Sequence, residues 1–314
     1  NFVVFAGAGV SMGAPTKLPN FIELVKQIEK GTGEHRDEGE SCEKYLGRLK
    51  HKQINVHQKT ADLLSKQELK HNDLHEFIID LFDSIENIKI VTTNYDTMFE
   101  QVLKFRGIDN INIYDAPALP LGDNFKGIVH IHGNVNASDS MILTDEDFGK
   151  SYITEGYVSR FLVKLFESYN VLFIGYSYED TIVKYLTRAI TTYGPNKRFI
   201  LTELESKEFD LLGIKSVCFG NGNFDILNKI VSHLGEVNHR GLLDWQSTIC
   251  EYELMPPKDI SLESEIEYCL HNEDQSFVLS QTIHGEKWFE WLLEREVFES
   301  IFNENITLTN SDEI

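Results

Sequence analysis

Seven short runs of apolar, largely β-branched residues recur along this chain: Phe2–Phe5, Ile88–Val91, Ile111–Tyr114, Ile128–Ile131, Val171–Ile174, Phe199–Leu201 and Val217–Phe219. Most are continuous rather than alternating. A strand with one wet face alternates apolar and polar residues, whereas a strand apolar throughout must be covered on both faces, as in a parallel sheet. Helical patterns lie between several runs. Phe21, Leu24, Val25 and Ile28 repeat at i, i+3, i+4 and i+7, and Asn72 stands where it would cap a helix carrying Leu74, Phe77, Ile78, Leu81 and Phe82. Arg160 to Phe166 and Ile182 to Ile190 show the same periodicity. Strands alternating with helices predict an α/β fold, a doubly wound Rossmann-like parallel sheet.

The interval between the first two runs, about residues 31–86, is too long for a simple crossover and reads as an inserted helical module. Beyond about residue 236 the strand patterns stop. Asn238 to Gly241 and Met255-Pro256-Pro257 read as linker. Helical stretches follow at Leu262–Leu270 and Lys287–Phe302, the second carrying Trp288, Trp291, Leu292, Phe298 and Phe302. One helix alone cannot bury these aromatics, so the extension is expected to pack on the α/β domain, on another subunit or on a further domain. The expected organisation is a nucleotide-binding domain over 1–236 and an acidic helical extension over 237–314.

Charge narrows the function classes. The chain has 50 acidic and 29 basic residues, net −21, and from Arg240 to Ile314 acidic residues outnumber basic ones 17 to 4. Such a field repels phosphate backbones and anionic lipid, so direct nucleic-acid or membrane binding is not expected. No apolar run reaches the roughly 18 residues of a membrane span, and no signal peptide is visible, so a cytoplasmic protein is expected. Cys42, Cys218, Cys250 and Cys269 form no C-x-x-C pair and read as separate reduced thiols, with no zinc site expected.

The strand ends carry the chemistry. Ala6-Gly7-Ala8-Gly9-Val10-Ser11 follows the first run, Thr92-Thr93-Asn94-Tyr95-Asp96 the second, His132-Gly133-Asn134 the fourth and Gly175-Tyr176-Ser177 the fifth. In open α/β sheets the ligand crevice lies at the carboxyl ends of the strands. Glycines let backbone amides approach a pyrophosphate, and the following helix turns its positive end toward that charge. The fingerprint G-x-G-x-x-G fits at Gly7 and Gly9 but meets Met12 at its third glycine, and no second strand ends in an acidic residue about 20 positions on, which disfavours a dehydrogenase. A tight turn without a ligand is the alternative for this loop. Ser11 and Ser177 are candidate donors to phosphate or adenosine hydroxyls, or plain turn serines. Glu203 suits the adenosine ribose, and Gly220-Asn221-Gly222 passes near adenine or merely turns. Asp96 either orients its loop or contacts ribose. His130, two residues before His132, would share its side of a strand; no third ligand for a His-x-His metal pair is evident.

Together these elements resemble the sirtuin superfamily, in order and over roughly Phe2 to Gly235. GAGVS stands as its nucleotide loop, TTNYD where sirtuins carry T-Q-N-x-D, HIHG as the histidine-glycine element, and GYS in place of G-T-S. Gly13 to Phe21 lacks the D-F-R of deacetylating sirtuins, and their four-cysteine zinc ribbon is absent. LPNF, TTNYD and LTDEDF (Leu143 to Phe148) look like the sirtuin-like proteins of bacterial antiviral defence, which hydrolyse NAD. The resemblance implies NAD as substrate, Asn94 and His132 as catalytic residues, and a nucleotide site drawn from Ala6, Gly7, Ala8, Gly9, Ser11, Thr93, Asp96, Gly175, Tyr176, Ser177, Glu203 and Gly220.

The expected activity is NAD glycohydrolysis, gated by a partner or by assembly, since a free NADase would kill its host. Homo-oligomerisation through the acidic tail, a partner ATPase or a phage protein as trigger are the expected forms of that gate. An NAD-dependent deacylase competes, but it needs the acyl-peptide groove that the zinc module normally helps form. A non-catalytic NAD or ADP-ribose sensor also competes; the presence of both Asn94 and His132 argues against it.

Overall fold

Strand β1 (Phe2–Ala6) is buried on both faces, and its alternation shows what covers it. In the computed structural model, which describes residues 2–65, 69–176, 197–205, 207, 209, 213–239, 241–270 and 279–295, Val3 and Phe5 point into one core and Val4 and Ala6 into another. β1 is central in a sheet completed by β2 (Lys89–Thr92), β3 (Ile113–Asp115), β4 (Gly127–His130), β5 (Asn170–Ile174), β6 (Arg198–Thr202) and β7 (Ile214–Cys218). The spatial order is β3-β4-β2-β1-β5-β6-β7, with every neighbouring pair parallel. The fold is thus the doubly wound, Rossmann-like α/β sheet that the continuous apolar runs predict.

One helix between β1 and β2 is a single turn, α1 (Gly9–Met12), followed by α2 (Phe21–Glu29), α3 (Cys42–His51), α4 (Val56–Leu64) and α5 (Asp73–Ile79). Asn72 caps α5 by accepting from the His75 amide. Leu74 and Ile78 of α5 pack on the Val4 face together with Phe99 and Val102 of α6 (Met98–Phe105) and Leu227 and Val231 of the helix Phe224–His239. On the Phe5 face lie Val158, Phe161, Leu162 and Leu165 of α8 (Tyr157–Ser168), which follows the short α7 (Asp145–Gly149). A fully buried Leu or Phe contributes about 1.5–3 kcal/mol. Exposed pairs such as Lys164–Glu167 contribute about 0–1 kcal/mol. The two sheet faces therefore hold the fold.

Helices α2, α3 and α4 form a third core from Leu24, Ile28, Tyr45, Leu46, Leu49 and Val56. Tyr95, Met141 and Leu143, from the segments after β2 and β4, belong to it. The inserted helices therefore pack against the carboxyl ends of those strands.

Several boundaries differ from the sequence reading. β7 begins at Ile214, three residues before Val217, because this edge strand exposes Lys215, Val217 and Cys218 and does not show a continuous apolar run. Asn238 is helical, since the helix from Phe224 runs to His239. The pattern at Ile182–Ile190 and the residues Phe298 and Phe302 lie outside the described residues. The chain divides into two compact units, Asn1–Gly235 and Glu236–Ile314. Within the second, Trp245, Ile249, Ile266, Trp288 and Trp291 bury one another. The extension thus makes a small core from several of its own helices, which no single helix pattern discloses. No helix of the described residues is long and apolar enough to cross a membrane.

The chain leaves β1 for β2, fills that side, and crosses to β5 on the other side of β1. The ends of β1 and β5 therefore flank the switch point where open α/β sheets bind ligands. There, Gly7 donates to the Ile174 carbonyl at 2.9 Å and Gly9 to the Gly175 carbonyl at 2.8 Å. Gly175 has φ +76°, and a Cβ on it would sit 2.5 Å from the Val10 nitrogen. Gly175→Ala is expected to lower stability by about 2–4 kcal/mol in urea denaturation. Gly149→Ala, where a Cβ would meet nothing within 4 Å, is the control and is expected to change stability by under about 1 kcal/mol.

Candidate functional site

The residues proposed from the strand ends fall into two groups around this switch point. Ala6 ends β1, and its carbonyl accepts from Thr92 Oγ1 at 2.9 Å, the Thr93 amide at 3.3 Å and Tyr176 Oη at 3.2 Å. Thr93 Oγ1 and Tyr176 Oη also bond each other at 2.9 Å, tying the ends of β2 and β5 across β1. Gly7 and Gly9 lie against Gly175, so these glycines first serve the close approach of two backbones. The helix expected to aim a positive end at phosphate is only the four-residue α1, capped by Ala8.

Asn94 is 8% exposed, and its Nδ2 donates to the Gly7 carbonyl at 3.1 Å and to Ser11 Oγ at 3.4 Å. Its amide hydrogen goes to Thr92 Oγ1 at 2.9 Å. Among the described residues nothing donates to Asn94 Oδ1, which leaves that oxygen as the open group of the amide. Ser11 is buried, with Asp96 Oδ2 at 2.9 Å and His75 Nε2 at 3.1 Å. The Ser11 hydroxyl thus faces inward, into a network that joins the loops after β1 and β2 to α5. Asp96 Oδ1 accepts from the Met98 amide at 3.1 Å, and burial pushes the Asp96 carboxyl above its ordinary pKa.

His132 follows β4, the strand beside β2, and is 2% exposed. Its Nε2 lies 2.8 Å from Tyr152 Oη. Phe148 meets the ring edge-on at 5.2 Å between centroids, and Tyr95 lies at 6.4 Å. The LTDEDF stretch explains this cage. Thr144 and Asp147 make a reciprocal cap at the start of α7, His57 Nε2 holds Asp147 at 2.9 Å, and Phe148 is thereby aimed at His132. A π-helical turn over Lys150–Thr154 then brings in Tyr152. Burial alone lowers the His132 pKa to about 3, so the ring is neutral.

β4 ends at His130, so the alternation that would set His130 and His132 on one side stops there. His130 is fully buried, with Nε2 2.6 Å from Glu100 Oε1 and Nδ1 3.2 Å from the Asn94 carbonyl. Both ring nitrogens are engaged, and His132 turns to Tyr152 instead. Burial disfavours charging His130, but the Glu100 carboxylate outweighs it and raises the pKa to about 9. Through Nδ1 the pair anchors the backbone that carries Asn94.

At the far side the loops after β6 and β7, which carry Glu203 and Gly220, are joined by Glu203 Oε2 accepting from the Gly222 amide at 2.8 Å. Ser177 lies outside the described residues. Two surface cavities of about 310 and 490 Å³, one beside Lys44 and Arg48 and one along Cys250 to Lys258, touch none of these side chains. Sequence reasoning missed His75, Glu100, Phe148 and Tyr152. Three lie on helices, where a polar or aromatic residue reads alike whether it faces solvent or a site. Tyr152 depends on the π-helical turn.

Residues 88–212 match the family model of the SIR2-like domain. Over those residues the chain is similar to SIR2-like domains. The uncharacterized Sinorhizobium fredii protein y4cA is 30% identical over 222 residues, which cover 63% of this chain and 18% of that protein. The chain thus spans less than a fifth of that relative's length. A solved chain described under the mechanism and regulation of Sir2 enzymes aligns with a TM-score of 0.42 at 13% identity, covering 76% of this chain and 93% of that one.

Buried histidines give stability a two-sided pH dependence. His130 is raised from 6.5 to about 9 in the fold, so its contribution is complete below pH 6.5 and is lost as pH rises through about 9. His132 is lowered from 6.5 to about 3, as is His75, so their contribution is complete above pH 6.5 and is lost as pH falls toward 3. Thermal midpoints are expected to fall on both sides, and Glu100→Gln is expected to flatten the alkaline side. An alkaline slope unchanged in Glu100→Gln would contradict the assignment.

Proposed function

We propose that the chain is an NAD glycohydrolase, releasing nicotinamide and ADP-ribose, and that it serves anti-phage defence by depleting NAD. The observation that carries this reading is the position of Asn94. Its amide nitrogen is tied to the Gly7 carbonyl at the β1–β5 switch point, and its oxygen is open. Residues that suit a dinucleotide stand at the other strand ends: the hydroxyls of Thr93 and Tyr176 after β2 and β5, and the Glu203 carboxylate after β6. The antiviral assignment is supported by the LPNF, TTNYD and LTDEDF stretches.

In this reaction the bond from ribose C1′ to the pyridinium nitrogen breaks. The electron pair stays on nitrogen, so nicotinamide leaves neutral and needs no acid. Water forms the new bond to C1′ and gives up a proton. Asn94 Oδ1 accepts from a ribose hydroxyl or from the attacking water and so orients both. His132 is the base. Burial keeps it neutral and makes it a weak base, sufficient because a water bonding to the cationic C1′ becomes strongly acidic, and its bond to Tyr152 offers the proton an onward path. Assembly through the acidic extension, or a partner such as an ATPase or phage protein, gates the activity.

Purified protein incubated with NAD and no acyl peptide is expected to release nicotinamide. Asn94→Ala and His132→Ala are each expected to lower kcat by about 10²-fold or more, with the thermal midpoint of each variant measured alongside. Release only in the presence of an acyl-lysine peptide would identify a deacylase instead. Near-normal turnover in either variant would contradict its role.

A further inference from the structure

Ser11 Oγ has three side-chain partners: Asp96 Oδ2 at 2.9 Å, His75 Nε2 at 3.1 Å and Asn94 Nδ2 at 3.4 Å. A hydroxyl offers one proton and two lone pairs, so three partners satisfy it only when one accepts and two donate. Asn94 is one donor, because its Nδ2 also faces the Gly7 carbonyl, which can only accept. The second donor is Asp96 or His75.

Asn72 decides between them. Its Nδ2 donates to the Val10 carbonyl at 2.9 Å, so its Oδ1, 2.7 Å from His75 Nδ1, is an acceptor. A bare Nδ1 would set two lone pairs against each other at that distance, so Nδ1 carries the proton. The Asn72 backbone N–H also points at Nδ1, from 3.2 Å; with the proton on Nδ1 that contact is a mild repulsion, which the shorter and stronger bond to Asn72 Oδ1 outweighs. A neutral His75 then leaves Nε2 bare and ready to take the Ser11 proton, and the second donor to Ser11 is Asp96.

We propose that Asp96 is held as a neutral carboxylic acid that donates to Ser11, and that His75, on the inserted helix α5, is the positioning residue that fixes this state by accepting the Ser11 proton. Burial acts the same way on both groups, pushing Asp96 up and His75 down to about 3. The titratable groups facing them are His71 beside His75, and His130 and Glu100 beside Asp96. His130 favours the carboxylate and Glu100 opposes it, and those two are paired with each other. The consequence rests on the NAD reading. A carboxylate buried behind the Gly7–Gly9 loop would repel an incoming pyrophosphate, and the proton removes that charge. The same bonds engage Asn94 Nδ2 and leave Oδ1 without a donor among the described residues.

Side-chain proton–nitrogen spectra of the full chain, with histidine labelled in its ring nitrogens, test the proton directly. His75 is the signal missing from His75→Gln. The expected result is the neutral Nδ1–H tautomer, unchanged between about pH 5.5 and about 8.5. An Nε2–H tautomer, or titration in that range, would overturn the proposal. In NAD turnover, His75→Leu is expected to lower kcat about tenfold with little change in KM. His75→Gln, whose Oε1 can accept from Ser11, is expected to recover to within about threefold of the wild type. Equal losses in both variants would overturn the positioning role. If the wild-type protein releases no nicotinamide, the NAD reading fails, while the spectra still decide where the proton sits.

Discussion

The contact on which the site depends is made by backbone alone. Gly7 and Gly9 donate to the end of β5, and there is no room for a Cβ between the two segments: on Gly9 it would sit 2.8 Å from the Gly175 Cα. That approach closes the switch point of the sheet. It also presents the Gly7 carbonyl to Asn94 from β2, and the Ala6 carbonyl to Thr92, Thr93 and Tyr176. Glycines after a strand are commonly read as room for phosphate. Here they are first room for another strand end, and any nucleotide is received on a surface that this contact has already shaped.

From that contact the polar groups form a continuous chain. Asn94 reaches Ser11, Ser11 reaches Asp96 and His75, and His75 reaches Asn72. From the other side His130, charged against Glu100, holds the Asn94 carbonyl. A buried polar group left without a partner costs about 1–3 kcal/mol, so such a network specifies one arrangement where its members are satisfied; Glu100 Oε2, buried without a partner, is its exception. It draws on the sheet, the inserted helices and α6 together. The inserted helices therefore contribute to the site as well as covering the strand ends.

The fold was legible because a sheet buried on both faces leaves long apolar runs, as at Phe2–Phe5 and Val171–Ile174. Legibility ended where burial was one-sided or distant. β7 hid its start behind the exposed Lys215, and the extension's aromatics found one another across helices that sequence alone does not bring together. At the site, Asn94 and Asp96 could be read because they follow a strand directly. Ser11 could be located but not oriented, since a turn serine reads alike whether it faces a phosphate or the core. His75 was invisible: on α5 it is one polar residue in an amphipathic pattern, and only packing reveals Ser11 opposite it. In sequence the LTDEDF stretch carries only a resemblance, and the structure supplies its physical content as a helix cap that sets Phe148 against His132.

The central claim is that the carboxyl ends of β1, β2 and β5 receive a dinucleotide, with its ribose at Asn94. A crystal structure of the protein with ADP-ribose tests it most directly. The account predicts the pyrophosphate over the Gly7–Gly9 loop and a ribose hydroxyl within hydrogen-bonding distance of Asn94 Oδ1. Ordered ADP-ribose elsewhere on the protein, with Asn94 still bonded only to Gly7 and Ser11, would contradict it.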